Sequence, residues 1–257
     1  MSQAAALLLA ETLQLTGLGP GLPAGLARWP SPRAVHDPGK IPSDLVMTLA
    51  LGGDCLADVA VLRAQPELTV PVATDPVVSR LVSALAAEGP RALQAIRQAR
   101  AAARERAWVL AGDRAPGADG SLIPVDIDAT IVLAHSEKEE AAPTWKKTFG
   151  FHPLAAPADH GAGAGGQALA ILLRAGNPGS NTASEHIAVT RLALVQLPRK
   201  PRRRVQIRTD SGGGTRDFVN WLASPSRRLH YSAGMTITGG HARGDPGPTG
   251  AGVGARL

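Results

Sequence analysis

The sequence predicts an α/β protein in which an all-helical N-terminal part, residues 1–111, precedes a mixed sheet over residues 121–238. Three observations carry this reading. Apolar residues recur at helical spacing as far as Leu110, from Leu122 they gather into short β-branched runs, and the Gly-, Asp- and Pro-rich stretch Gly112 to Gly120 separates the two regimes as a domain boundary does. A chain of 257 residues with 44% hydrophobic content has room for one or two domains with real cores.

In the first part, Ser2 to Leu15 reads as an amphipathic helix and Gly17-Leu-Gly-Pro-Gly-Leu-Pro23 as the turn that breaks it. The run Ala4-Ala-Ala-Leu-Leu-Leu-Ala10 has no Lys or Arg before it and Glu11 directly after it, which argues against a secretory signal. Trp29 to Lys40 reads as a loop. Ser43 to Leu51 is helical in pattern and ends at Gly52-Gly53, and Asp54 is placed to cap a second helix carrying Leu56, Val59, Ala60 and Leu62. A third helix begins at Asp75 with Pro76 at its first position and a stripe of Val78, Leu81, Val82 and Leu85.

Helix, connection and capped helix outline a helix-turn-helix, yet the connection from Gln65 to Thr74 exceeds the three or four residues of that motif's turn. Plain helical packing is the simpler reading; Ser79 and Arg80 are the DNA-contact candidates if the helix is a recognition helix. Pro90 to Leu110 predicts a long helix with Leu93, Ile96, Ala103 and Leu110 inward and Arg91, Arg97, Arg100, Arg104 and Arg106 around it. Those arginines form either a solvated face or a phosphate-contacting one, in which Arg97, Arg100 and Arg104 would release counterions from DNA.

The second part is organised around two stretches. Leu122-Ile-Pro-Val-Asp126-Ile-Asp128-Ala-Thr130 is an apolar run carrying two acids two residues apart, and a strand's period of two puts both on one face. Val205-Gln-Ile-Arg-Thr-Asp210-Ser-Gly-Gly-Gly214 is a short strand that ends in an acid before glycines turn the chain. Carboxylates among β-branched residues call for an exposed strand edge or a cation. Strand-borne aspartates that converge would make a hard-oxygen site suited to Mg²⁺ or Mn²⁺. Asp126 and Asp128 share a face, so spacing leaves both in contention.

Around these lie a strand from Phe149 to Ala158, the loop Gly161 to Gly166, and a strand from Gln167 to Arg174. A helix follows, opened by a Thr182-x-x-Glu185 capping box, with Ile187, Leu192 and Val195 toward the sheet and Arg199 to Arg204 at its end. After Asp210 come a helix near Thr215 to Leu222 and a strand from Leu229 to Ile237. Trp145-Lys146-Lys147 either stacks on and contacts DNA or anchors a strand. His135, His152, His160 and His186 have neither cysteine partners nor zinc spacing, and Ser211 to Gly214 lacks the lysine of a phosphate loop.

The net charge of +6 and pI near 10.2 favour a polyanionic partner such as DNA. The single cysteine, Cys55, excludes an intrachain disulfide. Eighteen uninterrupted apolar residues occur nowhere, so no membrane partner and a cytoplasmic, nucleoid-associated location are expected.

Val125-Asp-Ile-Asp-Ala-Thr-Ile-Val132, Ala134-His-Ser-Glu-Lys-Glu139, Trp145-Lys-Lys-Thr-Phe-Gly-Phe-His-Pro153, Gly176-Asn-Pro-Gly-Ser-Asn181 and Ile207-Arg-Thr-Asp-Ser-Gly-Gly-Gly214 together resemble bacterial insertion-sequence transposases of the DDE type. The resemblance extends to about Thr238 and, more loosely, back to Ala34-Val-His-Asp-Pro-Gly-Lys40. It implies an RNase H-like core in which two aspartates and a glutamate hold two divalent metals, Mg²⁺ or Mn²⁺, to cut and rejoin DNA. By its Asp-x-Thr pattern, Asp128 is the first ligand with Asp126 as the alternative, and Asp210 is the second. The implied partners are DNA at the element ends and further transposase chains, as a homo-oligomer or with full-length transposase.

One departure from the pattern shapes the functional expectation. No glutamate follows Asp210, and the later acids are Asp217 and Asp245 alone. Residues 239–257 are dominated by Gly, Ala, Pro and Arg without apolar periodicity, as an out-of-frame tail would be, and are expected to be disordered. The expectation is a C-terminally truncated, incomplete RNase H-like copy that is inactive, or a fragment that binds DNA or transposase and inhibits transposition.

Overall fold

The computed structural model describes residues 3–29, 35–66, 71–134, 138–161, 165–179, 182–199 and 204–235, and the chain divides into two compact units between Gly112 and Asp113. The expectations for His135, for Arg202 and Arg203 and for the segment 239–257 fall outside the described residues.

In the first unit the elements are α1 (Gln3–Leu15), α2 (Leu18–Leu26), α3 (Lys40–Ala50), a 3₁₀ turn (Leu56–Val59) running into α4 (Ala60–Arg63), α5 (Asp75–Ala87) and α6 (Gly89–Ala111). The expected turn from Gly17 to Pro23 is in fact a helix. Gly17 alone takes a left-handed conformation, at φ 78°, and α2 follows with Pro23 inside it. Packing does not require its glycines: a Cβ on Gly21 would make ordinary contact 3.7 Å from the Ala99 Cβ, and one on Gly25 3.5 Å from the Ala95 carbonyl. The face of α6 on which α2 packs is small. Ala92, Ala99 and Ala103 are buried there with Trp108, whereas Leu93 and Leu110, expected inward, are exposed.

Two other local expectations are corrected. Asp54 does not cap the next helix; the Asp58 carboxylate reaches back to the Asp54 and Cys55 N–H groups at 2.8 and 3.0 Å. On α5, Val78 and Leu81 are buried with Ile41 and Ala73, and Val77 and Leu85 pack beside them, while Val82 stands in solvent.

In the second unit the strands are β1 (Ile123–Ala129), β2 (Val132–Leu133), β3 (Ala142–Pro143), β4 (Phe149–Phe151), β5 (Leu154–Asp159), β6 (Gly166–Leu172), β7 (Val205–Thr209) and β8 (His230–Ala233). The helices are α7 (Ala183–Gln196) and α8 (Arg216–Leu222). Five strands form one sheet in the order β6-β5-β1-β7-β8, antiparallel across β6, β5 and β1 and parallel across β1, β7 and β8. The remaining three form a small sheet, β2-β4-β3. The two long strands expected at 122–132 and 149–158 are each divided between these sheets, the second at His152-Pro153, where proline lacks a ladder donor.

Ile123, Val125 and Ile127 of β1 and Val205 and Ile207 of β7 are buried, as are Phe218 and Leu222 of α8; α7 packs on β6, β5 and β1 and against α8, which meets β8. Thr215 caps α8 by accepting from the Phe218 N–H at 3.4 Å. The face that α7 buries is His186, Val189, Thr190, Ala193 and Gln196, so the expected Val195 is exposed and Ile187 and Leu192 are half-buried. Its first turn also differs from the expectation. Thr182 occupies the N-cap without a side-chain cap bond, and Glu185 instead meets the buried Arg174 guanidinium at 2.7 Å. A buried guanidinium needs a counter-charge more than a helix end needs one capping bond. Among the described residues no helix is long and apolar enough to cross a membrane.

Replacing Glu185 with Ala should therefore destabilise the fold by about 3 kcal/mol by stranding a buried charge. Thr182→Ala should cost under roughly 0.5 kcal/mol, since no cap bond is lost. Urea unfolding of both variants checks the contrast; equal losses would restore the capping box.

Candidate catalytic cleft

Strand register places the acids. β1 and β7 run parallel with Ile123 beside Val205, Val125 beside Ile207, Asp126 beside Arg208 and Ile127 beside Thr209. Because alternate residues from Ile123 to Ile127 and from Val205 to Ile207 point into the core, Asp126 and Asp128 share the other face of β1, and Arg208 and Asp210 the other face of β7. Asp128 and Asp210 thus follow each other at the C-terminal ends of adjacent parallel strands.

The rung behind them is an ion-pair knot. Arg208 donates from Nε and Nη2 to the two Asp126 oxygens at 2.6 and 2.8 Å, and Nη2 also reaches Asp159 of β5 at 2.7 Å. One guanidinium ties three neighbouring strands. The bonds from Asp126 and then Asp159 hold the Arg208 pKa above its ordinary value. Asp159 is held below the usual carboxylate value first by the Gly161 N–H, at 2.9 Å, and then by Arg208.

Asp128 and Asp210 open into a cleft of about 530 Å³ whose walls include Trp145, His152, Asn177, His186 and Ser211; Asp126 does not line it. Each carboxylate is steadied by backbone donors on one oxygen. Asp128 Oδ1 accepts from the Ala129 N–H at 2.8 Å, and Asp210 Oδ1 from Gly212 and Gly213 at 2.9 and 3.4 Å. The glycines after Asp210 permit that turn, since a Cβ on Gly213 would fall 2.0 Å from Thr209 Oγ1 and one on Gly214 2.1 Å from the Gly234 carbonyl.

His152 and His186 are buried in the cleft wall, with Nδ1 against the Pro178 carbonyl at 3.4 Å and the Thr182 carbonyl at 3.0 Å. Neither has zinc spacing, and the expected inward face of Ile187, Leu192 and Val195 leaves His186 out, so no local pattern marks it.

The other site candidates separate by exposure. Lys146 and Lys147 are exposed on the turn between β3 and β4, beside the cleft-lining Trp145, and Ser79 and Arg80 are exposed on α5. Arg97 and Arg100 are half-buried on α6. Arg104 is not a surface contact: it is buried one turn before Trp108, and burial, with Arg100 nearby, pushes its guanidinium down to about 10. Burial and then Arg97 lower Arg100 as well. Among the described residues, Asp54, Cys55 and Asp58 are the one group of three metal-ligand types drawn together, and there the Asp58 carboxylate is already the acceptor for its own turn.

Two carboxylates held by backbone donors at the ends of neighbouring strands, in an open polar cleft, are a hard-oxygen donor set that fits a divalent cation. Residues 1–240 match the family described as transposase DDE domain group 1, and the chain belongs to it. It is a DDE-type transposase domain, of a family that acts on DNA and uses divalent metal. No curated protein matches the sequence.

The knot makes a pH prediction. Asp159 is depressed in the fold, so its contribution to stability is present above the unfolded value of about 3.9 and is lost as pH falls through the folded one. Asp159→Asn should show a shallower fall in unfolding free energy than the unaltered chain between about pH 5 and pH 2. Identical slopes would mean that the knot contributes nothing.

Proposed function

We propose that residues 121–238 form an RNase H-like core in which Asp128 and Asp210 are the first two ligands of a Mg²⁺ or Mn²⁺ pair, serving DNA cleavage and strand joining by phosphoryl transfer. One observation carries the choice of ligands: Asp128 and Asp210 share the cleft, whereas both oxygens of Asp126 are engaged by Arg208. The strand order supports the core assignment, with three antiparallel strands joined through β1 to two parallel ones. When bound, such ions activate a water or a DNA hydroxyl and stabilise the leaving oxygen.

The chain's own residues do the positioning. Asp128 and Asp210 each present a carboxylate fixed by backbone N–H groups, so little reorganisation is needed when a phosphate arrives. Lys146 and Lys147 offer exposed ammonium groups on the turn that carries the cleft-lining Trp145, suited to the backbone of an entering strand. In the helical unit, Ser79 and Arg80 on α5 and the half-buried Arg97 and Arg100 on α6 are the candidate DNA surface; Arg104 supports that helix from inside. The action belongs in the cytoplasm, on the nucleoid.

The sequence from Ser211 to Leu257 contains no glutamate to complete the acidic triad. On this reading the polypeptide, assayed as it stands, holds two of three ligands and carries out no strand transfer. A second reading follows from the same feature: it binds element ends or intact transposase and so inhibits transposition.

Two measurements test this. In Mn²⁺ titrations, Asp128→Asn and Asp210→Asn should each weaken binding by roughly tenfold or more, and Asp126→Asn by less than about twofold. Loss of binding in Asp126→Asn alone would transfer the ligand role. In DNA binding across a salt series, replacing Lys146 and Lys147 together by Ala should reduce the log–log slope by roughly one to two. An unchanged slope would remove these lysines from the interface.

A further inference from the structure

The turn between β3 and β4 holds a tryptophan out in water by construction. Thr144 donates its N–H to the Thr148 carbonyl at 2.7 Å, the two threonine hydroxyls meet at 2.6 Å, and the Lys147 N–H reaches the Thr144 carbonyl at 3.0 Å. Lys147 accepts a left-handed backbone, φ 60°, to close the loop. Two glycines then seat this turn on its support. A Cβ on Gly150, itself at φ 152°, would lie 2.1 Å from the Val132 carbonyl, and one on Gly176 2.2 Å from the Ala142 carbonyl. The small sheet and the loop from Gly176 to Gly179 therefore approach more closely than any side chain permits.

Trp145 consequently lines the same cleft as Asp128 and Asp210 while remaining 70% exposed. The Lys146 ammonium stands 5.0 Å from its ring centroid. That ammonium lies over the ring as a cation–π contact, and the rest of so exposed an aromatic side chain, on a hydrogen-bonded turn, is preorganised for a flat apolar partner. Lysines 146 and 147 flank it, on a chain of net charge +6, so the partner in keeping with that charge carries phosphate.

We propose that Trp145 is a stacking platform for an unpaired nucleobase of the DNA strand that enters the cleft, an inference that rests on the DNA-processing reading of the two acids. A base inside a duplex has both faces covered by its neighbours. A ring projecting beside the acids can meet a base face only where the stack is open, at a strand end, a nick or a frayed pair. The Trp145 turn thereby selects opened DNA at the cleft, while Lys146 and Lys147 take the adjoining phosphates without regard to pairing.

Equilibrium binding of the full chain, with Ca²⁺ present, to a blunt duplex and to the same duplex with three unpaired terminal bases tests this. A 2-aminopurine at the first unpaired position reports stacking. The unaltered chain should prefer the frayed duplex and quench the probe. Trp145→Ala should weaken frayed-duplex binding by roughly five- to a hundredfold and abolish the quench. It should change blunt-duplex binding less than about twofold, and Trp145→Phe should retain most of the preference. Equal affinities for the two duplexes, an unchanged quench in Trp145→Ala, equal losses on both DNAs, or loss of self-association with DNA affinity intact would each overturn the inference and leave the ligand reading standing. Absence of any DNA binding by the unaltered chain at low salt would overturn the DNA-processing reading itself, and the platform with it.

Discussion

The parallel pairing of β1 with β7 is the constraint on which the cleft depends. Asp128 and Asp210 are 82 residues apart in sequence and become neighbours only because Ile123 lies beside Val205 and every later pair keeps step. A slip of one residue would turn one of the acids to the core face. The register is held from two sides. Inward, Ile123, Val125, Ile127, Val205 and Ile207 are all buried. Outward, Arg208 clamps Asp126 on the neighbouring strand and Asp159 one strand further. The same clamp engages both oxygens of Asp126, the other acid on that face of β1. Exposed ion pairs contribute little stability singly, and this one matters through the geometry it fixes.

Close backbone approach, bought with glycine, is the second theme. In the sheet unit Gly150 and Gly176 seat the turn that presents Trp145, while Gly213 and Gly214 fold the loop after Asp210 under its carboxylate. These contacts position functional groups on rigid supports, which is how a cleft with modest burial can hold its side chains in place.

Much of this was legible in the sequence, and the exceptions have identifiable causes. Alternation around Asp126 and Asp128, the acid and glycine turn at Asp210, and the Thr215 start of α8 are local signals, and each corresponds to a described element. Gly17 to Pro23 carries turn residues, yet the chain is helical from Leu18 and packs on α6, a tertiary contact that the local composition does not reveal. Glu185 matched a capping box by spacing, but its bond goes to Arg174, eleven residues upstream in the segment after β6. Arg104 read as a surface cation because most arginines are, whereas its neighbour one turn on, Trp108, is core. Each miss is a tertiary contact overriding a local rule. The Asp-x-Thr pattern already favoured Asp128 over Asp126; the Arg208 contact to Asp126 is a separate observation that no spacing reveals.

The central claim, that two strand ends are brought together to hold one metal site, can be read directly by iron-mediated backbone cleavage. With Fe²⁺ substituted for the native cation and peroxide and ascorbate added, cuts should cluster at two separate places, around Ile127 to Ala129 and around Asp210 to Gly212, and should disappear when excess Mg²⁺ competes. Cuts confined to Asp54 to Asp58, or a pattern that Mg²⁺ does not suppress, would contradict the account.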